Sequence, residues 1–361
     1  MITKTEKINR QQPEPEKIEA AAKIIREGGL VAFPTETVYG LGADALLSEG
    51  AKRIYAAKGR PSDNPLIVHI ADFEALDRIA REIPPQAKLL ADAFWPGPLT
   101  MIFQKSEAVP LETTGGLDTV AVRMPSHPVA LALIRAGGGY IAAPSANTSG
   151  RPSPTTAQHV DMDLNGKIPM ILDGGAVEIG IESTIVDLSG ISRRSDGTWV
   201  CGEMPMILRP GYITREMIAD VIGSVCDDPG FAGTDANVRP KAPGMKYRHY
   251  APKAELTIVS GEAFRVAEYI NARAAEAGAK GEKTGVICTE QTVGQYHADA
   301  VKCIGDRADE ESITRRLYAF LRDFDDLGVD RIYSESFSEL RLGRAIMNRL
   351  MKAAGQRIIN V

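Results

Sequence analysis

The chain has 361 residues, 44% of them hydrophobic and 25% charged, with 42 basic side chains against 47 acidic ones and a formal net charge of −5. This length favours two domains, and a chain this long buries a sizeable core, so neither disorder nor a disulfide scaffold is needed to explain it. The charges divide evenly, with no basic arm or acidic tail, so bulk charge gives no grip on nucleic acid. The first residues form a polar leader without the apolar stretch of a signal peptide. Residues 16–28 place Ile18, Ala21, Ala22 and Ile25 at helical spacing and stop at Gly28-Gly29, which predicts a short amphipathic helix. An apolar strand, LVAFPT, follows and leads into TVYGLGADA. Strands are expected at 65–70, 99–103, 120–124, 140–145 and 182–188, with a glycine-ended helix at 128–139. Alternation of this kind argues for an α/β domain, although several strands are too short to fix their direction.

Residues 223–252 are rich in Gly, Pro and Asp and lack apolar periodicity, which marks a linker. Beyond it, strands at 256–260, 284–289, 300–305 and 331–336 alternate with helices at 261–278, 309–327 and 339–355. That pattern suggests a small doubly wound sheet. The expected division is therefore a first domain over 1–222, a linker over 223–252 and a second domain over 253–361. No apolar run approaches the ~20 residues that span a bilayer. Four cysteines, Cys201, Cys226, Cys288 and Cys303, lack the spacing of a zinc knuckle or redox dithiol and read as structural thiols. A reduced, cytoplasmic protein is expected.

The sequence contains no GxxxxGK[ST] loop, no strand-borne GxGxxG, no HExxH and no GxSxG. The five histidines are scattered singly, so no preformed metal site is expected. What remains is a set of small polar and basic residues at strand ends. FPTETVYGLGADA offers Thr35 and Thr37 beside glycines that permit close approach or positive φ, although a capped turn would look the same. KGRPSDNPLIVHI sets Lys58 and Arg60 before a Pro-bracketed turn, in a stretch where Lys52 and Arg53 add further positive charge. Such an excess suits an anion such as phosphate, and a solvated helix face explains part of it. Arg123 lies in the apolar run VAVRMP, where a guanidinium demands a carboxylate on a neighbouring strand or a ligand anion. APSANTSGRPSP, GIESTIVD and MILRPG bring hydroxyls, an amide, Arg151 and Arg209 to further strand ends, where ligands of open α/β sheets bind.

Read in order, PTETVYGLGADA, KGRPSDNPLIVHI, WPGPLT, VAVRMPSHP, APSANTSGRPSPT, DGG…GIESTIVD and LRPG closely resemble the threonylcarbamoyl-AMP synthase family. They span nearly all of residues 15–215, and PGMKYRHYAP with the following domain resembles the long, two-domain form. The resemblance implies a YrdC-like twisted open α/β sheet followed by a smaller Rossmann-like doubly wound domain. It implies a nucleotidyltransferase that makes threonylcarbamoyl-AMP and pyrophosphate from L-threonine, bicarbonate and ATP. The product serves N6-threonylcarbamoyladenosine formation in tRNA through downstream transfer proteins, without tight tRNA binding by this chain. No side-chain nucleophile is implied, and Mg²⁺ would ride on the ATP phosphates. Thr35, His69, Arg123 and Ser183 match positions around threonine, with Arg123 as a carboxylate clamp. Lys58, Arg60, Asn64, Thr119, Ser145, Asn147, Arg151 and Arg209 match positions around ATP. Tyr247, with Lys246, Arg248 and His249, is similar to a strap over the nucleotide, a mix that mere docking on the first domain would also explain. Two other readings stay open at this stage: an RNA-binding module with a basic concave face, and carbamoyl transfer through carbamoyl-adenylate.

Overall fold

The computed structural model describes residues 2–229, 241–243 and 249–361. These fall into two compact units. One holds the described residues of 1–149, 154–178 and 182–247, and the other holds those of 150–153, 179–181 and 248–361. The proposed strap residues Lys246, Tyr247 and Arg248 lie outside the described residues. No helix among the described residues is long and apolar enough to cross a membrane.

The first unit runs through β1 (Lys4–Lys7), α1 (Pro15–Arg26), β2 (Val31–Phe33), β3 (Gly40–Asp44), α2 (Ser48–Lys58), β4 (Ile67–His69), α3 (Leu76–Ile79), α4 (Pro85–Phe94), β5 (Leu99–Gln104) and β6 (Thr119–Arg123). It continues through α5 (Pro128–Ala136), β7 (Ile141–Ala142), α6 (Ala157–Leu164), β8 (Met170–Asp173), β9 (Thr184–Asp187), β10 (Ile191–Arg193), β11 (Trp199–Cys201), β12 (Met206–Arg209), α7 (Arg215–Ile222) and β13 (Cys226–Asp227). Eleven of these strands form one mixed sheet in the order β1-β8-β2-β3-β7-β4-β6-β5-β9-β12-β13. Helices cover both faces. On β2, Val31 and Phe33 join the core of α1 and α5, whereas Ala32 points into the larger core on the other side. The period of two along a strand forces this division.

Local chemistry sets the elements. Pro15 opens α1, and Ile18, Ala21, Ala22 and Ile25 form its buried stripe. Gly59, at φ 62°, ends α2 in the left-handed conformation and so makes Lys58 its last helical residue. Gly42 serves close approach: a Cβ there would sit 2.8 Å from both Phe33 and Ile141. The sequence reading of a polar leader is corrected at Lys4–Lys7, which pairs in parallel with β8 as an edge strand. Its exposed KTEK carries no apolar pattern because an edge needs backbone pairing rather than burial.

The second unit holds β14 (Glu255–Ser260), α8 (Ala263–Gly278), β15 (Thr284–Cys288), β16 (Ala300–Cys303), α9 (Glu310–Leu327), β17 (Arg331–Glu335), α10 (Gly343–Ala353) and β18 (Ile358–Asn360). Its sheet is parallel throughout, in the order β16-β15-β17-β14-β18. Val259, Ile270, Val286 and Tyr333 sit in one of its cores. The strand-helix alternation thus gives the Rossmann-like sheet that it predicts, and β18 adds an edge not evident in the sequence.

Candidate active site

The polar strand ends converge on one face of four neighbouring strands in the first unit, β4, β6, β5 and β9. That face carries a small apolar group containing Ile67, Ala121, Ile102 and Ile185. Two residues along each strand from these positions stand His69, Arg123, Thr100 and Ser183, so strand periodicity brings all four to the same side. Register completes the row: His69 pairs with Arg123 across β4 and β6, and Arg123 pairs with Thr100 across β6 and β5. Thr100 Oγ1 and Ser183 Oγ share a hydrogen bond of 2.8 Å. Arg209 Nη2 donates to Ser183 Oγ at 3.1 Å and its Nε to the Ser183 carbonyl at 3.0 Å.

The loop after β2 faces this row. Arg123 Nη1 donates to Thr37 Oγ1 at 2.9 Å, and Nε donates to the Gly97 carbonyl at 3.3 Å. Thr37 Oγ1 lies 2.9 Å from Thr35 Oγ1, which donates to the Val38 carbonyl at 2.6 Å. Arg123 Nη2 is 2.7 Å from Glu36 Oε1, an ion pair with both side chains about 95% buried. The carboxylate that Arg123 demands therefore exists, but it comes from the β2–β3 loop and not from a neighbouring strand. Glu36 is the residue at this site that the sequence did not reveal. Its signal was an acid between two threonines directly after a fully buried strand, where solvation is unavailable.

Burial, and secondarily the Arg123 charge, push the His69 imidazole down to about 3. At neutral pH it is uncharged, with Nδ1 3.1 Å from the Ile67 carbonyl. His127 caps α5 through Nδ1, which accepts from the Val129 amide, and burial pushes it down to about 4. Fixed positive charge in this row thus comes from Arg123 and Arg209 alone among the groups named.

A second polar group forms where α2 ends. Lys58, 1% exposed, donates from Nζ to the Ser145 carbonyl and, at 2.5 Å, to the Asn147 carbonyl. Ser145 Oγ donates to Asn147 Oδ1 at 2.5 Å. Arg60 turns back on its own loop, donating from Nε to the Asn64 carbonyl at 3.3 Å and from Nη2 to the Pro65 carbonyl at 3.1 Å. The β2–β3 loop links the two groups: the Ala146 amide donates to the Tyr39 carbonyl, and Gly40 bridges to Ser145. Lys58 and Thr148 also border a cavity of about 710 Å³ that Arg53 and Lys167 make basic.

Thr35 and Arg123 are thus joined through Thr37, Ser183 bonds to Thr100 and Arg209, and His69 and Thr100 flank Arg123 in strand register, while Lys58, Ser145 and Asn147 form an adjoining group. Arg209, expected near ATP, contacts Ser183. Thr119 opens β6, and four residues of strand, about 13 Å, separate it from Arg123. Thr119 borders another cavity, of about 550 Å³, with Gln104, Ser189 and Lys241. Arg151 groups with the second unit, where its Nη2 lies 3.3 Å from Asp325. Among the described residues, no group of three or more His, Cys, Asp or Glu side chains could hold a metal ion.

Comparison with known proteins finds relatives over nearly the whole chain. A family described as telomere recombination matches residues 23–196, and the family described as the threonylcarbamoyl-AMP synthase C-terminal domain matches residues 213–355. A threonylcarbamoyl-AMP synthase of Pyrococcus abyssi is 52% identical, with 98% of each chain aligned. One of Bacillus subtilis is 49% identical over 98% of this chain and 97% of its own. A crystal structure of P. abyssi Sua5 in complex with L-threonine superposes with a TM-score of 0.91 at 50% identity, covering 99% of this chain and all of that one.

Proposed function

The chain belongs to the threonylcarbamoyl-AMP synthase family, and on that premise we propose that it condenses L-threonine with bicarbonate and transfers the resulting carbamate to the α-phosphate of ATP. In this reading it is a nucleotidyltransferase whose products are threonylcarbamoyl-AMP and pyrophosphate. The observation that carries the proposal is the buried row on β4, β6, β5 and β9, joined to the Lys58 group by the 35–40 segment. A carbamate is already a nucleophile, so the chain must position it and stabilise charge rather than form a covalent intermediate. Buried guanidinium and ammonium groups act strongly there, because water does not screen them.

Arg123 and the hydroxyls of Thr35, Thr37 and Ser183 would hold threonine, with neutral His69 as a hydrogen-bonding partner. Lys58, Arg60, Asn64, Ser145 and Asn147 would hold the nucleotide, with Thr119, Arg151, Arg209 and Tyr247 as further candidates carried by resemblance. Magnesium fits this set as an ion brought by the phosphates, since the named residues are donors of positive charge and neutral oxygens, not a carboxylate cage. The labile adenylate would pass to tRNA threonylcarbamoyl-transfer proteins.

The test is pyrophosphate release by the purified chain with MgATP, L-threonine and bicarbonate, together with mass detection of the adenylate. Release should require all three substrates. Pyrophosphate formed equally well without threonine or without bicarbonate would refute the assignment.

A further inference from the structure

The Glu36–Arg123 pair has unusual geometry. The two groups lie 2.7 Å apart, yet Arg123 Nη2, Glu36 Oε1 and Glu36 Oε2 all lack a hydrogen-bond partner among the described residues. Glu36 is 3% exposed and Arg123 4%, so both groups are shut off from bulk solvent. A buried polar atom left without a partner is destabilising, the more so when charged. The neighbouring hydroxyls offer no relief, because Thr35 donates to the Val38 carbonyl and Thr37 therefore donates to Thr35. Arg123 Nη2 and Glu36 Oε1 thus meet as an ion pair without hydrogen-bond alignment, and Glu36 Oε2 has no partner among the described residues.

A zwitterionic α-amino acid has the complementary arrangement. Its carboxylate and ammonium are borne on one carbon, so one can accept from Arg123 Nη2 while the other donates to Glu36. We propose that Glu36 is the binding residue for the substrate's α-ammonium group, and that Glu36 and Arg123 together select a free α-amino acid. This rests on the threonine reading above and assigns a role within that site to a residue outside the carried-over set. Arg123 alone would accept any small carboxylate; Glu36 adds the requirement for a cationic nitrogen on the adjacent carbon. It also holds the nitrogen that becomes the carbamate in a fixed place.

The experiment is calorimetric titration of the full chain with L-threonine and with its 2-hydroxy analogue, in which a hydroxyl replaces the ammonium. The wild-type chain should prefer threonine by about tenfold or more, the effect of one charge-assisted hydrogen bond. Glu36→Gln should weaken threonine about 10- to 100-fold and leave the analogue within about threefold, erasing the preference. ATP affinity and the melting temperature report whether the variant is folded. If Glu36→Gln does not fold, Glu36→Asp keeps the charge but withdraws the oxygens, and should reduce the preference without abolishing it. Equal wild-type affinity for the two ligands would overturn the proposal. So would an equal loss of both in Glu36→Gln, which would mean that Glu36 acts only through Arg123. Failure of the wild-type chain to bind threonine at all would instead sink the threonine reading itself.

Discussion

Arg123 holds three different partners at once, the Gly97 carbonyl, Thr37 and Glu36, and this sets what its replacement must do. Arg123→Ala leaves Glu36 as a buried, uncompensated charge, at a cost of about 3–5 kcal/mol in stability. Thermal melting should show a clear drop, and turnover should fall by about 100-fold or more because a donor in a water-poor site is lost. Wild-type turnover in a folded Arg123→Ala chain would remove the residue from the site. His69 makes a separate, pH-dependent prediction. Its folded value of about 3 lies below the unfolded value near 6.5, so the unfolded chain binds more protons between those limits. Stability should therefore fall as pH drops from about 6.5 towards 3, by up to ~1.4 kcal/mol per pH unit from this group. His127, folded at about 4, adds to the slope in the same direction. Chemical denaturation of His69→Gln across this range should give a shallower slope by about one proton. At this scale the sequence was only half legible. A guanidinium in VAVRM announces that it needs an anion, but nothing in the linear order says that Glu36, four strands across the sheet, provides it.

At the level of elements, LRPG shows how a backbone contact builds a site. A Cβ on Gly211 would fall 2.5 Å from the Thr184 amide and 2.8 Å from both the Ser183 carbonyl carbon and the Glu182 carbonyl oxygen. The segment after β12 therefore lies directly against the entry to β9, and only glycine permits it. Gly211→Ala must push these backbones apart and displace Ser183 from Arg209. The expected result is a raised KM for threonine and a lower melting temperature, measured by steady-state kinetics and thermal denaturation. An unchanged KM would show that Ser183 does not position the amino acid. Strands with apolar patterns, such as those at 99–104 and 119–123, could be placed from sequence because burial writes a pattern. Their directions could not. Of the four strands under the site, β5 runs antiparallel to β6, while β4 and β6 run parallel. The site therefore takes its residues from the carboxyl ends of β4 and β6 and from the amino ends of β5 and β9. Strand-end residues are legible as a list, but their pairing across the sheet is a property of topology.

Over the whole molecule, the net charge of −5 conceals how the positive charge is used. The cations with the strongest claim to function are buried: Lys58 among carbonyl oxygens, Arg60 against its own loop, Arg123 on Glu36 and Arg209 on Ser183. Buried cations act on a small anion brought to them; they do not present a field to a polyanion. Much of the remaining basic charge is neutralised at the surface, as in Arg26 with Glu19, Arg53 with Glu49 and Lys52 with Glu112. Polyelectrolyte binding depends on released counterions, and its affinity falls steeply with salt in proportion to the phosphates contacted. A chain with an acidic balance and no basic tract should therefore bind tRNA only weakly. Fluorescence polarisation with labelled tRNA should give a Kd weaker than ~10 μM at physiological salt, in the range of nonspecific contact. ATP affinity over 50–200 mM salt should change by far less than the ~1,000-fold expected of an extended phosphate interface. Tight tRNA binding with a steep salt slope would mean that the surface, and not the buried row, carries recognition, and would favour the RNA-binding reading that the Lys/Arg cluster at 52–60 kept open.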